Sequence, residues 1–309
     1  MKILIVGAGG VGGYFGGKLA QAGLDVTFLV RGHHFKAIKN KGLHVKSIKG
    51  DFKVYPKVVK DINDLKTSPD VIILGVKSWQ VVDVAVQIKP ILAKDTMVLP
   101  LQNGADNYDK LVNVLPTKNV LAGLCRIVSK VEKPGVINHF AYEPEIVFGE
   151  KDNHKTARVL ALKQVFDKAG FKNSISDNIV LDIWRKFLFI TSYSGMGALT
   201  RQPLGAIIKI PYIKEFLLNT AKEIKQIANL KNIDITQVDI DKTMHILNTM
   251  PYDTTASMQR DIMAGKPSEL DNFNGYIVKE GLQLHVKTPC NDFIYYTLLP
   301  SENFARKLA

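Results

Sequence analysis

The sequence predicts an α/β protein: an N-terminal Rossmann-like, doubly wound sheet followed by an all-helical C-terminal domain. Three observations carry the prediction. The first half alternates apolar runs of strand length with helix-spaced stretches, as βαβ units of a parallel sheet do. A glycine cluster, Gly7-Ala8-Gly9-Gly10-Val11-Gly12, follows the first apolar run directly. From about Ile179 onward, long amphipathic stretches separated by proline and glycine replace the strand-length runs.

Taken in order, Lys2–Val6 reads as a buried strand, the glycines as its exit, and the stretch to Ala22 as a helix. Asp25–Val30 is a second strand, and Val71–Val76 and Thr96–Leu101 are two more, with helical spacing over Gln80–Leu92 between them. Val120–Ser129 and Ile146–Gly149 follow as strands, with a turn at Lys133-Pro134-Gly135. A polar stretch over Asn173–Asn178 marks the boundary, giving domains 1–177 and 178–309. Helices are expected at Ile179–Tyr193, Tyr212–Asn229, Ile240–Leu247 and Glu269–Leu282, with breakers at Pro203, Pro211, Pro251, Pro267 and Pro289.

Composition narrows the class. A chain of 309 residues fits roughly two domains. With 46% hydrophobic and 23% charged residues it is neither disordered, collagen-like nor a coiled coil. Two cysteines, Cys125 and Cys290, make no disulfide framework, which points to a reducing, cytoplasmic setting. No apolar run approaches the roughly 18 residues that span a bilayer, and Met1–Gly7 is too short for a signal peptide. The net charge of +12 comes largely from scattered lysines such as Lys36, Lys41, Lys49 and Lys57. No dense basic block accompanies it, so neither nucleic acid nor membrane is an expected partner. His139 and His285 lack metal-ligand spacing, so no metal is expected.

The glycine cluster fits G-x-G-x-x-G between a strand and a helix. Gly7 permits the tight turn, Gly9 admits a pyrophosphate against the backbone, and Gly12 allows close helix–strand packing. The helix start offers N–H groups and a positive dipole end to phosphate. The ungarnished alternative is a glycine turn that packs without a ligand. At the end of the second strand, where an NAD site carries an acid, stands Arg31; a guanidinium there can grip a 2′-phosphate, favouring NADP(H), or can simply be a surface arginine. Lys77 follows the Val71–Val76 strand and Asn103 follows Thr96–Leu101. Ligands of open α/β sheets bind beyond the carboxyl ends of strands, although each of these two residues, taken singly, is equally an ordinary turn residue.

The segments GAGGVG, VRG, VKSWQV, LQNG, WRKF and SMQRDIMAGKPSELDNFNG, in this order from Gly7 to about Pro289, resemble the ketopantoate reductase (2-dehydropantoate 2-reductase) family. The resemblance implies NADPH-dependent reduction of 2-dehydropantoate to pantoate. It implies that Gly7, Ala8, Gly9, Gly10, Val11, Gly12 and Arg31 hold cofactor. Lys77 would approach the nicotinamide side and Asn103 would touch cofactor and substrate. Lys186 would be the proton donor, Ser257 a substrate ligand, and Glu269 an acid near cofactor and lysine. Chemically, an ammonium suits an alkoxide generated by hydride delivery to a ketone. Glu269 has a second reading: with Ser268 as N-cap it stands in a helix first turn, where the dipole favours a carboxylate regardless of catalysis. Asp261, four residues after Ser257, shares its face if that segment is helical.

One departure stands out. The family carries substrate-binding asparagines four and eight residues after the lysine, and here those positions are Ile190 and Ser194. Three functions therefore stay open: reduction of 2-dehydropantoate, reduction of another branched 2-oxo acid, and a non-catalytic NADP(H) sensor. The expected partner is a small 2-oxo acid, and a homodimer is left open.

Overall fold

In a computed structural model, which describes residues 1–308, the chain divides into two compact units, Met1–Ile179 and Val180–Ala309. The first contains, in order, β1 (Lys2–Val6), α1 (Gly10–Gln21), β2 (Asp25–Leu29), α2 (Gly32–Lys41), β3 (Leu43–Ser47), β4 (Phe52–Val54), β5 (Lys57–Val59) and β6 (Val71–Leu74). It continues with α3 (Val81–Ile88), β7 (Met97–Pro100), α4 (Asn107–Val112), β8 (Ala122–Lys133), β9 (Val136–Gly149), α5 (Ala157–Ala169) and β10 (Lys172–Ile175).

Five strands form a parallel sheet in the order β5-β2-β1-β6-β7. β1 lies at its middle, Lys2 to Val6 pairing with Asp25 to Leu29 on one side and Ile3 to Val6 with Val71 to Leu74 on the other. A central parallel strand is covered on both faces, and β1 shows this residue by residue. Ile3 and Ile5 enter one apolar cluster with Phe15, Leu19 and Phe28, whereas Leu4 and Val6 enter another with Leu74, Val81 and Ile88. The period-two alternation of a strand thus divides two cores.

A second sheet, β10-β9-β3-β4 with β8 on β9, builds on the long β8–β9 hairpin. Its turn is the Lys133-Pro134-Gly135 read from sequence, and Gly135 takes φ +78°. The sequence reading is corrected here in two respects. Three short strands, β3 to β5, lie between β2 and β6, so the four strands bearing the candidate residues are not consecutive in the chain but adjacent in the sheet. β9 also begins at Val136, ten residues before the expected Ile146.

The second unit is helical: α6 (Ile179–Thr200, its first residue belonging to the first unit), α7 (Leu204–Ile207), α8 (Pro211–Leu230), α9 (Gln237–Thr249), α10 (Ser257–Met263), α11 (Asn274–Gln283) and α12 (Pro289–Arg306). Trp184 and Phe187, three apart on α6, sit on one face and pack edge-on, 5.5 Å between centroids, and both meet Tyr276 of α11 at 6.1 and 5.8 Å. Pro289 opens α12 instead of breaking a helix, its missing N–H being harmless in a first turn. Among the described residues, no helix is long and apolar enough to cross a membrane.

Candidate active site

The candidate residues of the first unit gather at the carboxyl ends of β1, β2, β6 and β7. Gly7 leaves β1 at φ +90°, a conformation natural only to glycine, and its N–H donates to the Leu29 carbonyl at 3.0 Å. Gly12 lies so close under this turn that a Cβ there would stand 2.0 Å from the Gly7 carbonyl oxygen. α1 makes its first helical bond from Gly13 N–H to Gly9 C=O at 2.8 Å. The N–H groups of Gly10, Val11 and Gly12 therefore have no acceptor within the helix. Ala8 and Gly12 are buried, while Gly9, Gly10 and Val11 are half-buried. A tight glycine turn with unspent N–H groups at a helix start fits a dinucleotide pyrophosphate.

Arg31 is exposed and holds the N-cap position of α2, immediately after β2. Lys77 is half-buried beyond β6, its ammonium 5.5 Å from the Trp79 ring centroid. Asn103, beyond β7, is fixed through its backbone: its carbonyl accepts from Ser78 Oγ at 2.7 Å and from Asn107 Nδ2 at 3.1 Å. Gln102 reinforces the join, its Nε2 donating to the Leu74 and Val76 carbonyls at 2.8 and 3.2 Å. Ser78, Gln102 and Asn107 thus knit two strand exits together. The patterns VKS and LQN contain Ser78 and Gln102, and Asn107 follows four residues after Asn103, but the sequence alone assigned none of the three a role.

Two more residues escaped it. Ser129 of β8 covers the helix start, its backbone oxygen 2.7 Å from where a Gly10 Cβ would be. His34 touches the glycine turn itself, its Nε2 lying 2.6 Å from the Ala8 carbonyl oxygen. The only available signal was its position one turn after Arg31.

In the second unit, α6 carries Lys186, Ile190 and Ser194 along one stripe, spaced by four residues. Lys186 and Ile190 are half-buried and Ser194 is fully buried. Beside Lys186, Arg185 Nε bonds Asp239 Oδ1 at 2.8 Å, tying α6 to the start of α9. Burial pushes the Asp239 carboxyl up, but hydrogen bonds from the Thr236 backbone and hydroxyl and from Arg185 outweigh it, so the carboxyl lies below its ordinary range. Ile190 packs with Tyr193, Met196 and Leu204 in an apolar cluster. The Ser194 hydroxyl donates to the Ile190 carbonyl of its own helix. The stripe beyond Lys186 is thus apolar, with its one hydroxyl proton already used.

Ser257 is half-buried and opens α10, which also carries Asp261 one turn on. Glu269 is buried, 5% exposed, but not in a helix first turn as expected: α11 starts only at Asn274. Glu269 sits in a turn whose backbone closes through Asn272 and Phe273 N–H to its carbonyl, both at 3.0 Å. The reason lies in Ser268. Its hydroxyl accepts from Leu270 N–H at 3.2 Å, as a cap would, but it also donates to Glu302 of α12 at 2.5 Å. Ser268 N–H and Arg306 Nε reach the same carboxylate at 2.9 and 2.6 Å, which pins the segment as a buried turn. The Glu269–Leu282 helix is accordingly corrected to Asn274–Gln283.

The cysteines stay structural. Cys125 is buried in β8, its thiol donating to the Leu101 carbonyl at 3.4 Å. Cys290 is pushed up to about 12 by burial and by Glu223, which leaves it an unreactive thiol.

A Rossmann-type parallel sheet with a G-x-G-x-x-G turn after its central strand, in a chain whose second unit is helical, is the architecture of a nucleotide-dependent oxidoreductase class. Comparison with known proteins makes this specific. The ketopantoate reductase PanE/ApbA model matches residues 3–153, and its C-terminal counterpart matches 178–301. The chain belongs to the ketopantoate reductase family, whose members are oxidoreductases. It is 31% identical to the uncharacterized oxidoreductase YkpB of Bacillus subtilis, over 96% of this chain and 98% of that protein. It is 30% identical to 2-dehydropantoate 2-reductase of Pyrococcus horikoshii, over 98% and 97%. A PanE/ApbA family ketopantoate reductase from Ralstonia eutropha superposes with a TM-score of 0.91 at 29% identity, covering 99% of this chain and all of that one.

Proposed function

We propose that the protein reduces a 2-oxo acid with NADPH, converting 2-dehydropantoate to pantoate. The observation that carries this reading is Arg31 at the N-cap of α2, beyond β2, beside a glycine turn built for pyrophosphate. A guanidinium at that position recognises a 2′-phosphate where an acid would recognise a free ribose. NADPH, when bound, supplies the hydride for the ketone carbon. The first unit's residues then have binding tasks. The Gly7–Gly12 turn holds the pyrophosphate, Arg31 the 2′-phosphate, and Lys77 and Asn103 the exits of β6 and β7 where the nicotinamide half would lie. Lys186 stabilises the developing alkoxide and donates the proton that makes it a hydroxyl. Glu269, held by the Ser268–Glu302 contact, balances the lysine's charge, and Ser257 hydrogen-bonds the substrate. The names of relatives such as the Pyrococcus horikoshii and Aquifex aeolicus 2-dehydropantoate 2-reductases support this substrate.

A second reading has its own observation. Ile190 and the inward-bonded Ser194 leave the stripe beyond Lys186 without the amide groups that would grip a hydroxylated substrate. This favours a simpler branched 2-oxo acid. Incubating the protein with NADPH and a panel of 2-oxo acids, while following loss of NADPH absorbance, tests both. Fastest turnover with 2-dehydropantoate supports the first reading, and preference for an unhydroxylated branched acid supports the second. No oxidation with any member of the panel removes both, leaving a cofactor-binding sensor.

A further inference from the structure

His34 stands on the first turn of α2 and is half-buried. Gly135 N–H, from the β8–β9 turn, donates to its Nδ1 at 2.9 Å. Nδ1 therefore carries no proton, and the single imidazole proton sits on Nε2, aimed at the Ala8 carbonyl 2.6 Å away. A neutral ring thus joins three segments: the glycine turn, the helix that Arg31 begins, and the hairpin turn. The last is itself held, since the Gly135 carbonyl accepts from His44 N–H of β3 at 2.9 Å.

The bond to Ala8 has a directional effect. In a planar trans peptide the C=O and the following N–H point to opposite sides. Fixing the Ala8 carbonyl toward His34 therefore turns the Gly9 N–H the other way, as a donor that a pyrophosphate can use. We propose that His34 is a positioning residue for the dinucleotide: its neutral imidazole holds the Ala8 carbonyl, aims the Gly9 N–H at the pyrophosphate, and makes cofactor affinity fall when the ring takes a second proton. The inference rests on reading the glycine turn as a dinucleotide site.

Protonation acts through Nδ1, which would then present a hydrogen to the Gly135 N–H and lose that bond. Burial pushes the His34 ring down from its ordinary value, with the Ala8 carbonyl partly opposing. The charged and titratable groups on the surrounding segments are Arg31, His33, Lys36, Lys39 and Lys41 on α2 and its cap, His44 on β3, Lys133 beside Gly135, and Lys57, Lys60 and Asp61 on and after β5. The acids at their margins are engaged elsewhere, Asp61 accepting from Asn63 N–H at 2.9 Å and Glu132 at the hairpin meeting Lys46 at 2.7 Å. Nothing here favours an imidazolium. His33 is exposed next to Arg31.

The test uses the full chain and dissociation constants measured without substrate. His34→Gln keeps an amide donor at the reach of Nε2, whereas His34→Asn keeps only an acceptor at the reach of Nδ1. NADPH fluorescence titration at pH 8 should find His34→Gln within about threefold of wild type, and His34→Asn weakened by about tenfold, the effect of one lost hydrogen bond. A merely structural role would lower the melting temperature of both while leaving their affinities alike, and that result overturns the proposal. The wild-type pH profile needs no substitution. Because a 2′-phosphate itself titrates near pH ~6, the profile is taken calorimetrically with ADP-ribose, which carries only the pyrophosphate. Because burial holds the ring below its ordinary value of about 6.5, affinity should be level above that pH and fall on its acid side. Affinity that stays level or rises down to the acid limit of the folded protein overturns the proposal. If wild type binds neither NADPH nor ADP-ribose, the cofactor reading itself fails, which is a different result from equal binding by wild type and His34→Asn.

Discussion

A methyl group placed at Gly9 or at Gly12 separates what the glycine turn does for the fold from what it does for a ligand. At Gly12 the new Cβ would lie 2.0 Å from the Gly7 carbonyl oxygen and 3.2 Å from its carbon. Carbon–oxygen contacts settle near 3.3–3.6 Å, so about 1.3 Å must be found. The atom in the way is backbone, in a residue already at φ +90°, and no side chain can rotate aside. Overpacking costs about 1–3 kcal/mol, and a forced backbone shift puts Gly12→Ala at about 3 kcal/mol or above. For a unit of this size that is a fall in melting temperature of roughly 6–12 °C. Gly9 is different. It is extended, φ −70° and ψ −166°, and a Cβ there would lie 3.6 Å from the Gly75 carbonyl oxygen, an ordinary contact. Gly9→Ala should therefore melt as wild type does, yet bind NADPH at least about tenfold more weakly, because the methyl stands where the pyrophosphate approaches. Thermal melts and NADPH fluorescence titration on both variants decide it. Normal NADPH affinity in Gly9→Ala, or wild-type melting in Gly12→Ala, refutes the reasoning.

Arg31→Ala should weaken NADPH by about 1.5–3 kcal/mol and leave NADH nearly unchanged, as for loss of a charge-assisted contact; equal losses in a binding titration would show that Arg31 does not read the 2′-phosphate. Lys186→Ala should lower kcat by roughly 10²–10⁴-fold with NADPH affinity held, and wild-type turnover in steady-state kinetics would remove it from the mechanism. For Asp239, whose folded carboxyl lies below its ordinary range, the stabilisation is present above about pH 4 and lost as pH falls through the folded value. Asp239→Asn should accordingly destabilise the protein to denaturant at pH 7 and differ less from wild type at pH 3; a gap that widens in acid would contradict the Arg185–Asp239 account.

Much of this is legible in the amino-acid sequence alone. β1, α1 and β2 are short-range objects: a run of apolar residues, a glycine turn and a period of 3.6 each write themselves into neighbouring positions. The same holds for the stripe of Lys186, Ile190 and Ser194, which needs only the helix repeat. What stayed hidden depends on distant partners. β4 (Phe-Lys-Val) and β5 (Lys-Val-Val) have three residues each, too few for any periodicity to distinguish them from a loop. The first part of β9 carries His139 and Tyr142, the latter at φ +68°, and is a strand because β3 and β8 pair with it. Ser268 has the composition of an N-cap, and only Glu302, 34 residues away, turns it to another use. α12 contains Pro300, which reads as a stop, yet the helix continues to Arg306. His34 is the sharpest case: its partners Ala8 and Gly135 are 26 and 101 residues distant, and locally only its place one turn after Arg31 sets it apart from His33.

The Ser268–Glu302–Arg306 contact bears on how the chain can be handled. Glu302 is 1% exposed and is the hub through which the last helix holds the turn that carries Glu269. The final turn of α12 is thereby part of the acid's mounting and not a trailing end. A protein shortened ahead of Glu302 loses that mounting even with every residue from Gly7 to Glu269 intact. A fusion joined beyond Arg306 leaves it whole, since the exposed Lys307 and Leu308 make no side-chain hydrogen bond or ion pair among the described residues.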